Sequence, residues 1–174
     1  TCRDKQLDFQ NQAIRVKVSD QNICFNDRLQ GQHCANLQYD LGDFVLKRRD
    51  GIINYQLAVV VDDYLQEISH VVRGADLLDN TERQIWLGQL LGYPALEYMH
   101  LPLAMNHLGQ KLSKQNLAQA LDLKHAPELL LQAIIALGQA PVDLDQPDLM
   151  LAQAVAQWDI SRIPQGTTLQ SIYQ

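Results

Sequence analysis

The rhythm of apolar and polar positions changes several times along this chain. Ile14, Val16 and Val18 alternate with Arg15 and Lys17, which predicts a half-buried strand. Asp20-Gln21-Asn22 carries turn chemistry and Ile23-Cys24-Phe25 follows, so a hairpin between the two runs is expected. Phe44 to Arg48 reads as another strand, running into Asp50-Gly51, a turn pair because glycine accepts positive φ without steric cost. Leu57 to Val61 is unbroken apolar sequence, and periodicity leaves strand and helix both open there. Ile68 to Arg73 is rich in strand formers and ends at Gly74. Asp79-Asn80-Thr81-Glu82 then offers helix caps and an acidic first turn. Trp86, Leu87, Leu90 and Leu91 follow at helical spacing, and Gly92 with Pro94 ends the helix. Met99 to Met105 is a further strand candidate. Strand, helix and strand in that order make a βαβ unit, the building block of a parallel α/β sheet.

Beyond residue 115 the pattern becomes helical. Pro127 opens a segment with Leu129, Leu130, Ala133, Ile134 and Leu137 on one face, closed by Gly138. Pro147 opens another that reaches Trp158. No internal repeat or low-complexity tract interrupts the chain.

Composition narrows the function classes. Of 174 residues 47% are apolar and 20% charged, enough apolar sequence for a real core. No stretch approaches the roughly 20 apolar residues of a membrane span, and no secretory signal pattern is present, so no membrane partner is expected. The net charge of −6 argues against a broad, non-specific grip on a phosphate backbone, and DNA is not an expected partner. Lys47-Arg48-Arg49, the densest basic run, reads as a solvated edge. The three cysteines, Cys2, Cys24 and Cys34, show no paired spacing. An odd count without a secretory signal points to a reducing, cytoplasmic setting and against a disulfide scaffold, with Cys24 and Cys34 as ordinary buried or loop cysteines.

The chemistry concentrates in a few places. Lys111-Leu112-Ser113-Lys114-Gln115 follows the Met99–Met105 strand, where ligands bind in open α/β sheets, and its two lysines could reach nucleotide phosphates as mobile point charges. Taken alone, the same pentapeptide is also a solvated basic loop. Arg73 stands at a strand end, where it could grip a carboxylate or pair with Asp76. Tyr55 begins the apolar run and fits either a core or a ligand contact. His70 and His100 read as packing or orienting residues rather than catalytic bases. Asp62-Asp63 could suggest a carboxylate pair for Mg²⁺, but adjacent residues point apart, which favours a structural role.

Several segments share an order and spacing: Lys47–Gly51, Tyr55–Asp63, His70–Leu78 and His100–Leu103. From about Phe25 to Gln115 the chain resembles the second half of the catalytic domain of class I glutamyl-tRNA-synthetase-like enzymes, with Lys111–Gln115 in the place of the KMSKS motif. The resemblance implies an α/β fold made of three parts. Residues 1–42 would be the remnant of a zinc-stem insert with a β-hairpin. Residues 43–115 would be the second half of a Rossmann-type catalytic domain, and 116–174 a helical C-terminal subdomain. With the sequence reaching Gln174, a large helical anticodon-binding region is not expected within it. Trp158 to Pro164 and the Lys-Leu-Ser-Lys-Gln form are similar to the branch of the family that lacks that region.

That branch implies ATP, with Mg²⁺, as substrate, and glutamate as the activated amino acid. The implied acceptor is queuosine at the wobble position of aspartate tRNA. The residues carried over are Lys111, Leu112, Ser113, Lys114 and Gln115 for ATP, with Lys114 catalytic, and Tyr55 and Arg73 for glutamate. Cys2 matches the surroundings of the last ligand of a zinc site found in many relatives. The other ligands have no counterpart here, so zinc is expected only in the complete protein, where Cys2 would be one of four ligands. No HIGH-like motif is present. The resemblance therefore implies that the chain alone has little or no activation activity, and that strands pairing with the segments near residues 70 and 103 lie elsewhere. A truncated glutamyl-tRNA synthetase and a non-catalytic synthetase-like binding module remain alternatives.

Overall fold

In the computed structural model, which describes residues 11–113, 118 and 120–169, strand β1 (Ile14–Val16) keeps the expected alternation, but its partner differs. The hairpin is not formed with the run after Asp20. Instead β2 (Asn22–Asp27) turns back on β3 (Gly31–Asn36), while β1 pairs antiparallel with β4 (Phe44–Lys47). The cause lies in burial and in a side-chain anchor. Val18 and Ile23, on either side of the expected turn, both enter one core with Leu37, and Asp43 accepts the Val18 N–H at 2.9 Å. These contacts hold the segment after β1 against the approach to β4.

The β2–β3 register places Cys24 directly opposite Cys34, and the two form a disulfide. Both residues are exposed strand residues, which corrects the expectation of two ordinary buried or loop thiols. Ten residues of separation carry no local cue; the pairing emerges only once the turn at 28–30 sets the register.

After β4, the Arg48 N–H bonds to Ile52 O around Gly51, whose φ is +89°, as the turn pair predicts. Arg48 pairs with Asp50 at 2.9 Å on the exposed edge. The ambiguous apolar run is helix α1 (Tyr55–Leu65). Asn54 caps it by accepting the Gln56 N–H, a signal that decides for helix where apolar content cannot.

Strand β5 (His70–Gly74), helix α2 (Thr81–Leu91) and strand β6 (Glu97–Leu101) realise the predicted βαβ order. The sheet runs β3-β2-β6-β5, antiparallel at β2–β3 and parallel at β2–β6, so it is mixed. The buried face of α2 is not the expected Trp86, Leu87, Leu90, Leu91 stripe. Leu87 is buried, but Leu90 and Leu91 are exposed, and Thr81, Glu82 and Gln84 go inside instead. The expected Met99–Met105 strand is broken at Pro102, which has no N–H to give a ladder; β6 precedes it and β7 (Leu103–Ala104) follows.

The chain divides into two compact units, residues 1–73 with 77–100, and residues 74–76 with 101–174. The first is built on the Val18, Ile23 and Leu37 core, against which Phe44, Ile85 and Trp86 pack. In the second, α3 (Ala126–Ala136) opens at Pro127 and is followed by Gly138 with φ +71°. Helix α4 (Pro147–Ala156) ends two residues short of Trp158. Ile134, Val142, Met150 and Ala154 form the core between these helices. Buried Gln139 ties the loop after α3 to the loop after α4, donating to Asp159 O at 3.0 Å and accepting from Asp159 N at 2.9 Å. Strand β8 (Thr168–Leu169) lies parallel to β7.

Candidate functional site

Arg73 lies near the end of β5, and its side chain is held by four acceptors. Nε–H donates to His100 Nε2 at 2.9 Å and Nη1 to Gln84 Oε1 at 2.7 Å. Nη2 donates to Thr81 Oγ1 at 2.8 Å and to Leu77 O at 3.3 Å. All four acceptors are uncharged, and among the described residues no carboxylate bonds directly to the guanidinium. A guanidinium has five N–H donors, so one on Nη1 is left over. The Tyr98 ring lies alongside, with its centroid 5.8 Å from the guanidinium carbon. Burial pushes the Tyr98 phenol up to about 12, a shift opposed by Arg73 and reinforced by Asp63.

Behind Arg73 stands a fully buried pair. His100 Nδ1–H donates to Asp27 Oδ2 at 2.6 Å, and both side chains are inaccessible to solvent. Asp27 Oδ1 also accepts the N–H groups of Leu29 at 3.0 Å, Gln30 at 2.9 Å and His100 at 3.2 Å. For Asp27, burial works to raise the carboxyl pKa, but these hydrogen bonds outweigh it and hold the group below the ordinary carboxylate range. For His100 burial lowers the pKa, Arg73 and His33 lower it further, and Asp27 opposes them without prevailing. The ring is therefore neutral near pH 7, protonated on Nδ1, and free to accept at Nε2.

Tyr55, the first residue of α1, is 49% exposed, which leaves its ring accessible rather than in the core. Its neighbour Gln56 accepts from Gln84 Nε2 at 2.9 Å and donates to Asn80 at 2.5 Å. A chain of side-chain amides thus leads from the start of α1 to Arg73. His70 is exposed, near Glu97 at 3.5 Å. On α1, Asp62 is exposed and Asp63 half-buried, so the two carboxylates do not converge. Burial raises the Asp63 carboxyl, against the pull of Arg73.

A cavity of about 510 Å³ lies among α1, α2 and the approach to β6, lined by Val60, Asp63, Tyr64, Ile85 and Tyr93. It shares Gln84 and Tyr98 with the surroundings of Arg73, but neither Arg73 nor Tyr55 lines it.

In the second unit, Lys111 forms a bridge with Met105, and its ammonium pairs with Asp76 at 2.5 Å. Leu112 N–H bonds to Ala104 O at 2.9 Å, and Ser113 O accepts from Ala118 N at 3.1 Å. Lys114, Gln115 and Cys2 lie outside the described residues. Among the described residues, no three His, Cys, Asp or Glu groups are placed to hold a metal ion, and no helix is long and apolar enough to cross a membrane.

Asp27, Thr81, Gln84 and Gln56 are site neighbours that the sequence reading did not assign to the site. Thr81 and Gln84 had a usable signal: two polar residues spaced i, i+3 on one face of a helix that begins shortly after an arginine-bearing strand.

The chain belongs to the class I tRNA synthetases (E and Q), whose catalytic domain matches residues 2–161. Among curated proteins, the glutamyl-Q tRNA(Asp) synthetase of Acinetobacter baylyi is 70% identical over 99% of this chain and 59% of its own length. The protein of that name from Pseudomonas putida is 44% identical over 97% of the chain and 57% of its own length. The chain thus spans little more than half the length of these relatives. In fold it is similar to the glutamate-tRNA synthetase of Elizabethkingia anophelis, with a TM-score of 0.71 at 24% identity over 91% of this chain and 36% of that one.

Proposed function

We propose that the full-length protein activates glutamate with ATP and transfers the glutamyl group to queuosine of tRNA(Asp), acting in the cytoplasm. The glutamate carboxylate attacks the α-phosphorus of ATP, forming glutamyl-adenylate and releasing pyrophosphate with its Mg²⁺. The queuosine hydroxyl then attacks the activated carbonyl, and AMP leaves.

The observation that carries this reading is the setting of Arg73, a fixed cation whose hydrogen-bond partners are all neutral. A half-buried charge without a directly bonded counter-ion favours an anionic ligand, and a glutamate carboxylate supplies one. The grip differs from the two parallel bonds a free guanidinium offers. With one N–H to spare, Arg73 gives a single charge-assisted bond unless Gln84 or Thr81 yields its place. The exposed hydroxyl of Tyr55 supplies a second contact to the amino acid. Lys111, Leu112, Ser113, Lys114 and Gln115 are assigned to ATP. In that role Lys114 neutralises charge developing on the phosphates, and Lys111 exchanges its Asp76 partner for phosphate. In the full-length protein Cys2 supplies one thiolate of a zinc site.

Glutamate-dependent exchange of pyrophosphate into ATP, followed by glutamylation of aspartate tRNA with and without queuosine, tests the proposal. Exchange with glutamate and transfer only to the queuosine-bearing tRNA is the expected result. Transfer to glutamate tRNA, or no exchange, contradicts it.

A further inference from the structure

We propose that Asp27 and His100 form a positioning pair that aims the Arg73 guanidinium and thereby sets affinity for glutamate, without either residue touching the substrate. The proposal rests on the reading of Arg73 as a glutamate contact. Its basis is a continuous chain of hydrogen bonds. The β2–β3 turn fixes Asp27 through the Leu29 and Gln30 N–H groups, Asp27 fixes the His100 ring at 2.6 Å, and His100 receives Arg73 Nε–H at 2.9 Å.

The direction of each bond matters. Arginine can only donate, so His100 must present a bare nitrogen to it, and that is possible only if the proton sits on Nδ1. The Asp27 carboxylate, an acceptor, holds it there. The imidazole is further confined by Tyr98, whose ring stacks 6.3 Å away at 11°. A free arginine side chain samples many rotamers, and holding it in one geometry costs entropy. Fixing Nε, the donor nearest the backbone, orients the whole guanidinium plane and leaves the terminal nitrogens to Gln84, Thr81 and a ligand. A pair that served only to join the hairpin to β6 would need none of this directionality, because Arg28 N–H donating to Tyr98 O, His100 N–H donating to Asp27 Oδ1 and Gln30 Nε2 donating to His100 O already do so.

Two substitutions separate positioning from packing. In His100→Gln the side-chain oxygen reaches the place of Nε2 and can still accept from Arg73. In His100→Asn the shorter amide reaches the place of Nδ1, keeps the bond to Asp27, and leaves Arg73 Nε–H without an acceptor. In pyrophosphate exchange by the full-length protein, we expect His100→Asn to raise the glutamate KM about 10- to 100-fold. His100→Gln should stay within about threefold of the parent, with ATP KM unchanged in both. Equal glutamate KM in the two variants overturns the positioning role. Absence of glutamate-dependent exchange in the parent overturns the functional reading instead. Imidazole nitrogen NMR on the unsubstituted protein is independent of variant folding. A neutral Nδ1–H tautomer at about pH 7, with an Nε2 resonance that shifts on glutamate saturation, supports the proposal; an Nε2–H tautomer or an unmoved resonance overturns it.

Discussion

Arg73 Nε–H meets His100 Nε2 at 2.9 Å, a cation donating to a neutral ring whose own proton is committed to Asp27. With the Asp27 bond behind it, this contact joins three distant parts of the sequence: the start of the hairpin turn at Asp27, the end of β5 and the end of β6. It also explains why a histidine can be fully buried beside an arginine. The ring escapes charge repulsion by remaining neutral, and the carboxylate behind it supports that tautomer. His70, on the neighbouring strand, is solvent-exposed and has no comparable task.

The same pair makes stability depend on pH in a definite direction. In the folded protein burial holds the His100 imidazole below the ordinary histidine range, and hydrogen bonds hold the Asp27 carboxyl below the ordinary carboxylate range. Each therefore contributes stability that is present above its unfolded pKa and is lost as pH falls through its folded value. Asp27, Arg73 and His33 are the charged or titratable groups acting on His100. Glu82, whose carboxyl is raised by burial, works oppositely and relieves a cost as it protonates. Urea unfolding should show the chain losing stability as pH drops below about 6.5, and His100→Asn losing less over that interval. Parallel pH profiles for the two would contradict the assignment.

The Cys24–Cys34 disulfide is exposed and closes a short loop across the hairpin. Replacing both cysteines with serine, or adding a thiol reductant, should lower unfolding free energy by about 2–3 kcal/mol, as expected for a loop of this size. The hairpin should survive, since its six residue pairs and the Asp27 turn bonds remain. Under reducing conditions this ladder must hold the hairpin without the disulfide. Identical melting with and without reductant would show that the crosslink contributes nothing.

How much of this was legible beforehand depends on whether a signal was local. The Asp50-Gly51 turn, the Gly92 and Gly138 helix ends and the Pro127 and Pro147 helix starts are written in neighbouring residues, and each was found. The strand partners were not, because pairing β1 with β4 depends on Val18, Ile23 and Leu37 choosing a common core. The disulfide escaped for the same reason. In the site, Arg73 and Tyr55 stood out through their segments' likeness to one family. Asp27, Thr81 and Gln84 did not, since a polar residue acquires its role only when the fold buries it beside a partner. The apolar stripe assigned to α2 misled because part of its inner face is polar, serving Arg73 rather than the core.

Gly138 is a position where glycine is required twice over. Its φ is +71°, and a Cβ there would stand 2.0 Å from Arg162 O. Gly138→Ala must both adopt the left-handed conformation and push back the backbone that follows Ser161. A loss of about 3 kcal/mol or more is expected by denaturant titration. A loss under about 1 kcal/mol would mean that this close approach relaxes freely.

For Lys114 the expected signature is kinetic. If its charge counts mainly in the transition state, Lys114→Ala in the full-length protein lowers kcat about 100- to 1,000-fold with little change in glutamate affinity. Single-turnover adenylate formation measures this directly, and unchanged kcat would remove Lys114 from the mechanism.

Every role proposed for the site depends on Arg73, the proposed receptor for a glutamate carboxylate. Arg73→Lys keeps the charge but has three donors on one atom, so it cannot serve His100, Gln84 and Thr81 from their separate directions while also meeting a ligand. Glutamate KM and ATP KM should be measured for this variant in the full-length protein by pyrophosphate exchange. A rise of about 100-fold in glutamate KM with ATP KM unchanged is the predicted result; a glutamate KM equal to that of the parent would contradict it.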